Sequence, residues 1–491
     1  MQWQKCLGGE GYDMGYSIEQ TNNGGYILCG WTESSDGDVT GNLGPLTPSG
    51  GDVWVVLLNT YGSIVWQKCL GGTAAEVSKS IVRQTSDNGF IIGFSTYSND
   101  GDINGNHGGV DISLIKLSSG GFIQWQECFG GTSTDEFCSL EITNDGGYIF
   151  TGTTSSNNAD VSGNHGNEDV WVVKVTEGGD IEWQHCYGGT SDDWGNSIVQ
   201  TSDGGFAITG RTGSTNGDVQ GNHGGWDAWV FKIDPLGTLE WQKCLGGTSY
   251  ENGFGIIQSG DMGLVMACIT RSNDGDVVGF HVSTNSNASD AWVVKLNPTG
   301  SIEWQKCLGS NLSESASCID LVADGGFIIG GSRNYGDYWV NRLDANGVIQ
   351  WEQTFGGTMS DELEAIHVTS DGGYILAGST QSDDLDVDGN HSMYVYDIWI
   401  VKLQTDPATT AELPSSTFQI FPNPAGDILR ITSDYSMNEE CYSIFNQHGQ
   451  RVLFGCLGLT STTIDIAPLS SGIYTLLING KAKNSMQFIK R

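Results

Sequence analysis

Short apolar and alternating runs, each bounded by Gly, Asn, Asp or Pro, follow one another along this chain. From Asn196 to Leu245 they read Ser-Ile-Val-Gln-Thr, then Phe-Ala-Ile-Thr-Gly after Ser-Asp-Gly-Gly. A long polar loop leads to Asp-Ala-Trp-Val-Phe-Lys-Ile, and a Pro-Leu-Gly turn to Thr-Leu-Glu-Trp-Gln-Lys-Cys-Leu. β-Branched and aromatic runs with short connections predict an antiparallel meander of four strands, here called A to D.

The last run, Trp-Gln-Lys-Cys-Leu-Gly-Gly or a close variant, begins at Trp3, Trp66, Trp125, Trp183, Trp241, Trp304 and Trp351. One four-stranded unit is therefore written seven times. A unit of 47 to 63 residues cannot bury its own apolar faces and gains a core by stacking on its copies. Radial repetition of four-stranded sheets predicts an all-β fold, a seven-bladed β-propeller over residues 1–403. The seventh copy runs from Asp397-Ile-Trp-Ile-Val-Lys402 into Gln-Thr-Asp-Pro with no D strand. Residues 2–7 supply that strand, so the ring is expected to close through the N-terminal segment and leave no blade edge unpaired.

Beyond a Pro/Thr/Ser-containing linker (404–416) the pattern changes. Phe418 to Ile431, Tyr442 to Val452, Ile464-Asp-Ile and Ser471-Gly-Ile-Tyr-Thr-Leu-Leu-Ile alternate with turn breaks, predicting a small Ig-like β-sandwich over 417–491.

The run Asp-Val-Trp-Val-Val-Lys-Leu, a Gly turn, Ile-x-Trp, Leu-Gly-Gly-Thr, Asp-Gly-Gly-Tyr-Ile and Gly-x-Thr-x-Ser resembles the bacterial seven-bladed propeller repeats called SBBP, over nearly all of residues 1–403. That resemblance implies a fold and hardly an activity. Pro422-Asn423-Pro424, the Asn446 to Gly449 turn, Gly472-Ile-Tyr474 and the basic C-terminus resemble the type A sorting domain of the type IX secretion system of Bacteroidota. The resemblance implies passage through the periplasm, recognition by the secretion machinery at the outer membrane, and a secreted or surface-attached product. Members of that family carry an N-terminal export signal. Met1-Gln2-Trp3 lacks one, which fits a mature or truncated form.

Charge sharpens this picture. The formal net charge is −37, and residues 418–491 hold 6 Lys+Arg and 5 Asp+Glu, leaving 15 against 53 in the repeat region. Such a field repels nucleic acid and anionic lipid and favours cations or basic partners. No apolar run is long enough for a transmembrane helix. Six cysteines (Cys6, Cys69, Cys128, Cys186, Cys244, Cys307) share one repeat position, too far apart for bridging, and read as small buried hydrophobes. Metal ligation, or pairing with Cys29, Cys138, Cys268 or Cys318, is the alternative. A monomer is expected.

Candidate chemistry falls on the face carrying the B–C loops and D–A connectors. A carboxylate recurs just ahead of every A strand: Asp13, Glu76, Asp135, Asp193, Glu251, Glu314 and Asp361. These seven predict either acceptors for local backbone N–H groups or a cation-attracting rim around the channel mouth. The B–C loops carry Asp-Gly-Asp-x-x-Gly-Asn-His and a further Asp. Asp100, Asp102, Asn106 and Asp111, and again Asp218, Asn222 and Asp227, are oxygen donors suited to Ca²⁺ or to Asx turns. The loop histidines (His107, His165, His223, His281, His391) recur as a structural contact would. Blade 4 breaks symmetry with Trp194 and Trp226, which beside His223 and Asp193 predict a sugar-stacking platform. Blade 6, with only Ser332 to Gly336 for a B–C loop, predicts a gap. No distinctive catalytic set accompanies the repeats. The leading expectation is a non-catalytic secreted or surface binding protein for a glycan or a protein. The alternatives are a polysaccharide-acting enzyme using paired rim carboxylates and a structural surface-layer repeat.

Overall fold

The computed structural model describes residues 1–44, 50–281, 288–334, 336–392, 394–405, 419–422, 424–432, 441–446, 451–456, 461–479 and 484–491. The chain divides into two compact units, Met1–Thr405 and Asp406–Arg491. The expected linker lies almost wholly outside the described residues.

The first unit contains seven four-stranded antiparallel sheets, each paired in the order A-B-C-D. In blade 4 these strands are Asp193–Gln200, Phe206–Thr212, Asp227–Ile233 and Leu239–Leu245. A strands of successive blades touch one another, and that of blade 7 (Asp361–Val368) touches that of blade 1 (Asp13–Gln20), closing a seven-bladed ring. The seventh sheet takes Trp3–Leu7 as its D strand, in register from Trp3 opposite Lys402 to Leu7 opposite Ile398.

Burial follows strand position. C strands such as Asp227–Ile233 are buried at every residue, as a strand covered on both faces must be, whereas outer D strands bury chiefly their Cys-Leu end. The repeated motif stitches the ring in two directions. Its Gln accepts a hydrogen bond from the C-strand indole of its own sheet, as in Trp171 Nε1 to Gln184 (2.8 Å) and Trp399 Nε1 to Gln4 (2.9 Å). Its Trp packs on the first B-strand ring of the following blade, as Trp66 does on Phe90 and Trp3 on Tyr26, with centroids 5.8 and 5.7 Å apart. The six cysteines at the shared position are buried and unbridged, with burial raising their thiol pKa.

A buried cation anchors each A–B hairpin except one. Lys116, Lys174, Lys232, Lys295 and Lys402 reach the hairpin aspartates Asp87, Asp145, Asp203, Asp261 and Asp371, and Arg342 reaches Asp324. Blade 1 has Leu57 at the cation position and Asn23 at the acid position, so both charges are exchanged together. Leu57→Lys alone is expected to destabilise the ring by about 2 kcal/mol, since it buries a charge without its partner. Asn23→Asp should recover most of that loss in the double variant. A double-mutant cycle from urea melts measures the coupling, and strictly additive effects would contradict it.

The second unit has a three-stranded sheet, built from Gln419–Phe421, Ile428–Thr432 and Ser461–Asp465. Its four-stranded sheet takes Arg451–Cys456, Cys441–Asn446, Gly472–Asn479 and Asn484–Lys490 in spatial order. Ala425, Leu429 and Ile431 meet Tyr442, Ile444, Leu476 and Phe488 in one core. Tyr474 stacks on Phe488 and donates to the Ser470 carbonyl at 2.8 Å, Gly472 begins its strand, and Pro422 and Pro424 are exposed. Asn423 and Gly449 lie outside the described residues.

Candidate functional site

The seven A-strand acids do not face solvent: all are essentially fully buried. In blade 4, Asp193 accepts from Gly189 N–H at 2.7 Å, from the Ser214 hydroxyl at 2.7 Å and from the Thr212 hydroxyl. Asp135, Asp361 and Glu251 sit in equivalent cradles. The expectation of a solvent-facing, cation-attracting rim is therefore corrected, because short polar side chains and the glycine backbone of each blade enclose the carboxylates.

Each acid also meets a second one across a blade seam. The first C-strand residue of the preceding blade is an aspartate: Asp52, Asp111, Asp169, Asp227, Asp290, Asp337 or Asp397. A Cβ on Gly8 would lie 2.5 Å from Asp13 Oδ2 and 2.7 Å from Asp397 Oδ1, and one on Gly188 would lie 2.7 Å from Asp193 Oδ2 and 2.6 Å from Asp169 Oδ1. The Leu-Gly-Gly step is glycine because two carboxyls converge on it. Among these pairs, Oδ1 of Asp13, Asp52, Asp111, Asp169, Asp227, Asp290 and Asp397 is buried with no partner. Burial pushes the pKa of Asp111 to about 6, Asp13 to about 7 and Glu76 to about 8, and raises those of Asp169, Asp193 and Asp397. An acid that keeps its proton can donate it to an unpartnered oxygen of its neighbour.

The loop donors expected for calcium are turned to the protein itself. Asp100 accepts from Thr73 N–H and hydroxyl at 2.7 and 2.6 Å, while Asp102 lies 3.8 Å from Lys68. Asn106 and Asn222 donate to the Thr96 and Thr212 carbonyls, both 10 residues earlier, and Asp218 accepts from Gly188 N–H. Asp111 and Asp227 each accept backbone N–H and imidazole Nδ1 from His107 and His223, at 2.6 to 3.0 Å. His165, His281 and His391 make the same contact. Among the described residues no three His, Cys, Asp or Glu side chains are grouped to hold a metal ion.

Symmetry breaks in two places. The first is the central channel. A β-bulge in the A strand, as between Gly195 and Ser197, leaves one residue unpaired, and such bulges re-aim side chains. The bulge and equivalent residues Tyr16, Lys79, Cys138, Asn196, Phe254, Ser317 and Glu364 all line one cavity of about 240 Å³. No two are alike, although the framework positions around them repeat. Three or four residues further on, Arg83, Glu141, Asp320 and His367 line the same cavity. Lys79 pairs with Glu364 at 3.3 Å, Arg83 with Glu141 at 3.1 Å, and Asp320 with His367 at 3.4 Å. Glu19, beside Arg83, has its pKa raised by burial.

The second is the junction of blades 4 and 5, where the two sequence-predicted tryptophans are indeed brought together. Between them lies a residue that was not expected there. Arg211, cross-strand from Trp194, places its guanidinium 3.9 Å from the Trp194 ring centroid and 4.7 Å from that of Trp226. Its Nη1 donates to Tyr250 Oη at 2.5 Å, and Arg271 lies 5.0 Å from the Tyr250 ring centroid. Trp194 Nε1 donates to Glu168 at 2.6 Å, and a parallel bridge joins Trp226 to Tyr250. The expected grouping with Asp193 and His223 is corrected: Asp193 is buried, and His223 turns to Asp227 (2.7 Å) and Asp276 (3.9 Å). An indole face is occupied by an arginine rather than free. Comparing copies would have exposed the cluster. The matching residues to Arg211 are Trp31, Ser95, Thr153, Ile269, Ser332 and Ser379, so Arg211 interrupts an otherwise uncharged series.

Residues 419–490 match the family model "Secretion system C-terminal sorting domain". The module is thus a secretion sorting domain, and the chain is a secreted or cell-surface protein that engages the type IX secretion machinery. A curated relative, the "Regulatory protein FlaEY" of Caulobacter vibrioides, is 29% identical over 188 residues, 34% of this chain. The chain spans only 19% of that relative's length. Among solved structures, PorZ of Porphyromonas gingivalis, a surface component of its type-IX secretion system, is similar at 11% identity and a TM-score of 0.41. That likeness covers 98% of this chain and 59% of PorZ. The Neurospora crassa Pan2 WD40 domain is similar at 10% identity and a TM-score of 0.41, covering 82% of this chain and 97% of that one.

Proposed function

We propose that residues 1–403 are a non-catalytic binding ring, delivered outside the cell by the module at 417–491, which presents its B–C loop and D–A connector face to a glycan or another protein. One observation carries the reading. The recurring polar groups of the repeat are consumed by the framework, while Trp194, Arg211, Trp226, Tyr250 and Arg271 gather at one seam, and of these only the tyrosine recurs at the matching place, as Tyr12. Hydrolysis by rim carboxylates finds no support, because those acids are enclosed. Ligand sites commonly join aromatic surface to a few fixed polar groups.

Binding of the purified ring to a glycan array and to surface extracts tests the proposal. Trp226→Ala is expected to weaken binding at least tenfold while leaving the melting temperature within a few degrees. Binding unchanged in Trp226→Ala and Trp194→Ala would remove this seam from consideration.

A further inference from the structure

The blade 4–5 seam holds two arginines without an ion-pair partner, the nearest carboxylate of the cluster, Glu168, being engaged by the Trp194 indole. In a region with 53 acidic residues against 15 basic ones, no carboxylate among the described residues lies within ion-pair distance of Arg211 or Arg271. Elsewhere in the ring arginine is paired: Arg83 with Glu141, Arg333 with Glu314 and Arg342 with Asp324. Arg211 spends one N–H on Tyr250, and its Nε is buried with no acceptor. Indoles occupy the neighbourhood of its π faces, so the donors left over lie along its edge, in the plane that suits a carboxylate. Arg271 is exposed and sits against the same tyrosine ring.

Resting on the binding reading above, we propose that this seam is a site for a sparsely charged acidic glycan, one uronate carboxylate being taken by Arg211 and Arg271 while its pyranose ring lies along the half-buried edges of Trp194, Trp226 and Tyr250. Two scales of electrostatics select that class. The long-range field of the ring opposes any polyanion, which disfavours acidic peptides and nucleic acids. The local guanidinium pair favours a single carboxylate. Exposed aromatic surface adds contact for the C–H face of a sugar that a free small anion is too small to use. Nothing in the site calls for covalent chemistry.

The test uses the full chain, intrinsic tryptophan fluorescence and three probes: a xylo-oligosaccharide bearing one glucuronate, the same compound as its methyl ester, and hexaglutamate. The free acid is expected to bind at least tenfold tighter than the ester, with a preference that shrinks as salt rises. Arg211→Gln and Arg271→Gln are each expected to reduce that preference to within about twofold. Arg271 is exposed, so its variant keeps the test sound if Arg211→Gln perturbs folding. Equal binding of acid and ester, with Trp226→Ala abolishing both, would overturn the acidic ligand and leave the binding reading standing. Hexaglutamate binding as tightly as the uronate would overturn the glycan class, and failure of the uronate to bind at millimolar concentration would overturn the proposal outright.

Discussion

A chain lacking residues 1–8 is expected to lose on the order of 5 kcal/mol of stability, melt roughly 10 °C lower and associate at micromolar concentration. The deleted segment does three things at once. It pairs with Asp397–Leu403, whose outer edge would otherwise be bare; it caps the Trp399 indole through Gln4; and it seats Trp3 on Tyr26 of blade 1. Burial of Leu7 and Cys6 and partial burial of Trp3 account for most of the figure, at about 1.5 to 3 kcal/mol for each large side chain. An unpaired strand edge invites pairing with another copy, hence the association. Supplying residues 1–8 as a separate peptide should restore the melt in a concentration-dependent manner. A truncated chain that melts like the parent and stays monomeric would show that closure contributes little.

Stability is also expected to fall as pH rises from about 4 to about 8, the reverse of what a chain of net charge −37 with solvent-exposed acids would show on pairing with cations. Unfolded carboxyls titrate near pH 4, whereas in the ring Asp111, Asp13 and Glu76 hold protons up to about pH 6, 7 and 8. Over that window the native state binds more protons than the unfolded chain, so unfolding free energy drops with pH by about 1.4 kcal/mol per unit for each such proton. The hairpin aspartates pull the other way. Thr85 and Lys116 hold Asp87, and Lys295 and Ser259 hold Asp261, at about 2, so their contribution is lost only as pH falls below the unfolded value. An optimum near pH 4 follows. Urea melts across pH 3.5 to 9 measure it, and Glu76→Gln, which imitates the protonated acid, should flatten part of the alkaline limb. A cation bridging the pairs would instead require ionised acids, so stability would rise with pH and collapse in chelator. Either of those results would defeat the shared-proton account.

Much of this architecture was legible from the residues. Recurrence of Trp-Gln-Lys-Cys-Leu-Gly-Gly gave the blade count, and the missing fourth strand after Lys402 gave the closure, because strand number and edge pairing are matters of pattern. The seven acids were legible as a set, with local acceptors and an exposed rim both left open. Proximity of Asp193 to the loop face suggested exposure, yet Thr212 and Ser214, both distant in sequence, wrap it completely. The partner of each acid was also hidden, since Asp169 and Asp193 belong to different blades and meet only when the ring is assembled. The bulge residues escaped for a related reason. A bulge moves one side chain out of the two-residue alternation, so Lys79 and Glu364 read as ordinary strand positions until the strand bends. Trp194 and Trp226 were visible as extra aromatics, but the cation between them comes from a separate strand and carried no motif.

The seams have a consequence for how the ring can be cut. Each following A strand begins with the same backbone bond to the preceding blade, from Asp13 N–H to Tyr396 O (2.7 Å) through Glu251 N–H to Trp226 O (2.7 Å) to Asp361 N–H to Gly336 O (2.6 Å). The join between blades 7 and 1 is therefore built as the other six are, and only the covalent path distinguishes it. A circular permutant that links Leu403 to Trp3 through a turn like Asn59 to Ser63, and opens the C–D hairpin of blade 3 between Thr176 and Asp180, retains every seam. The seams do not depend on chain order, and such a permutant is expected to fold with the melting temperature of the parent within a few degrees.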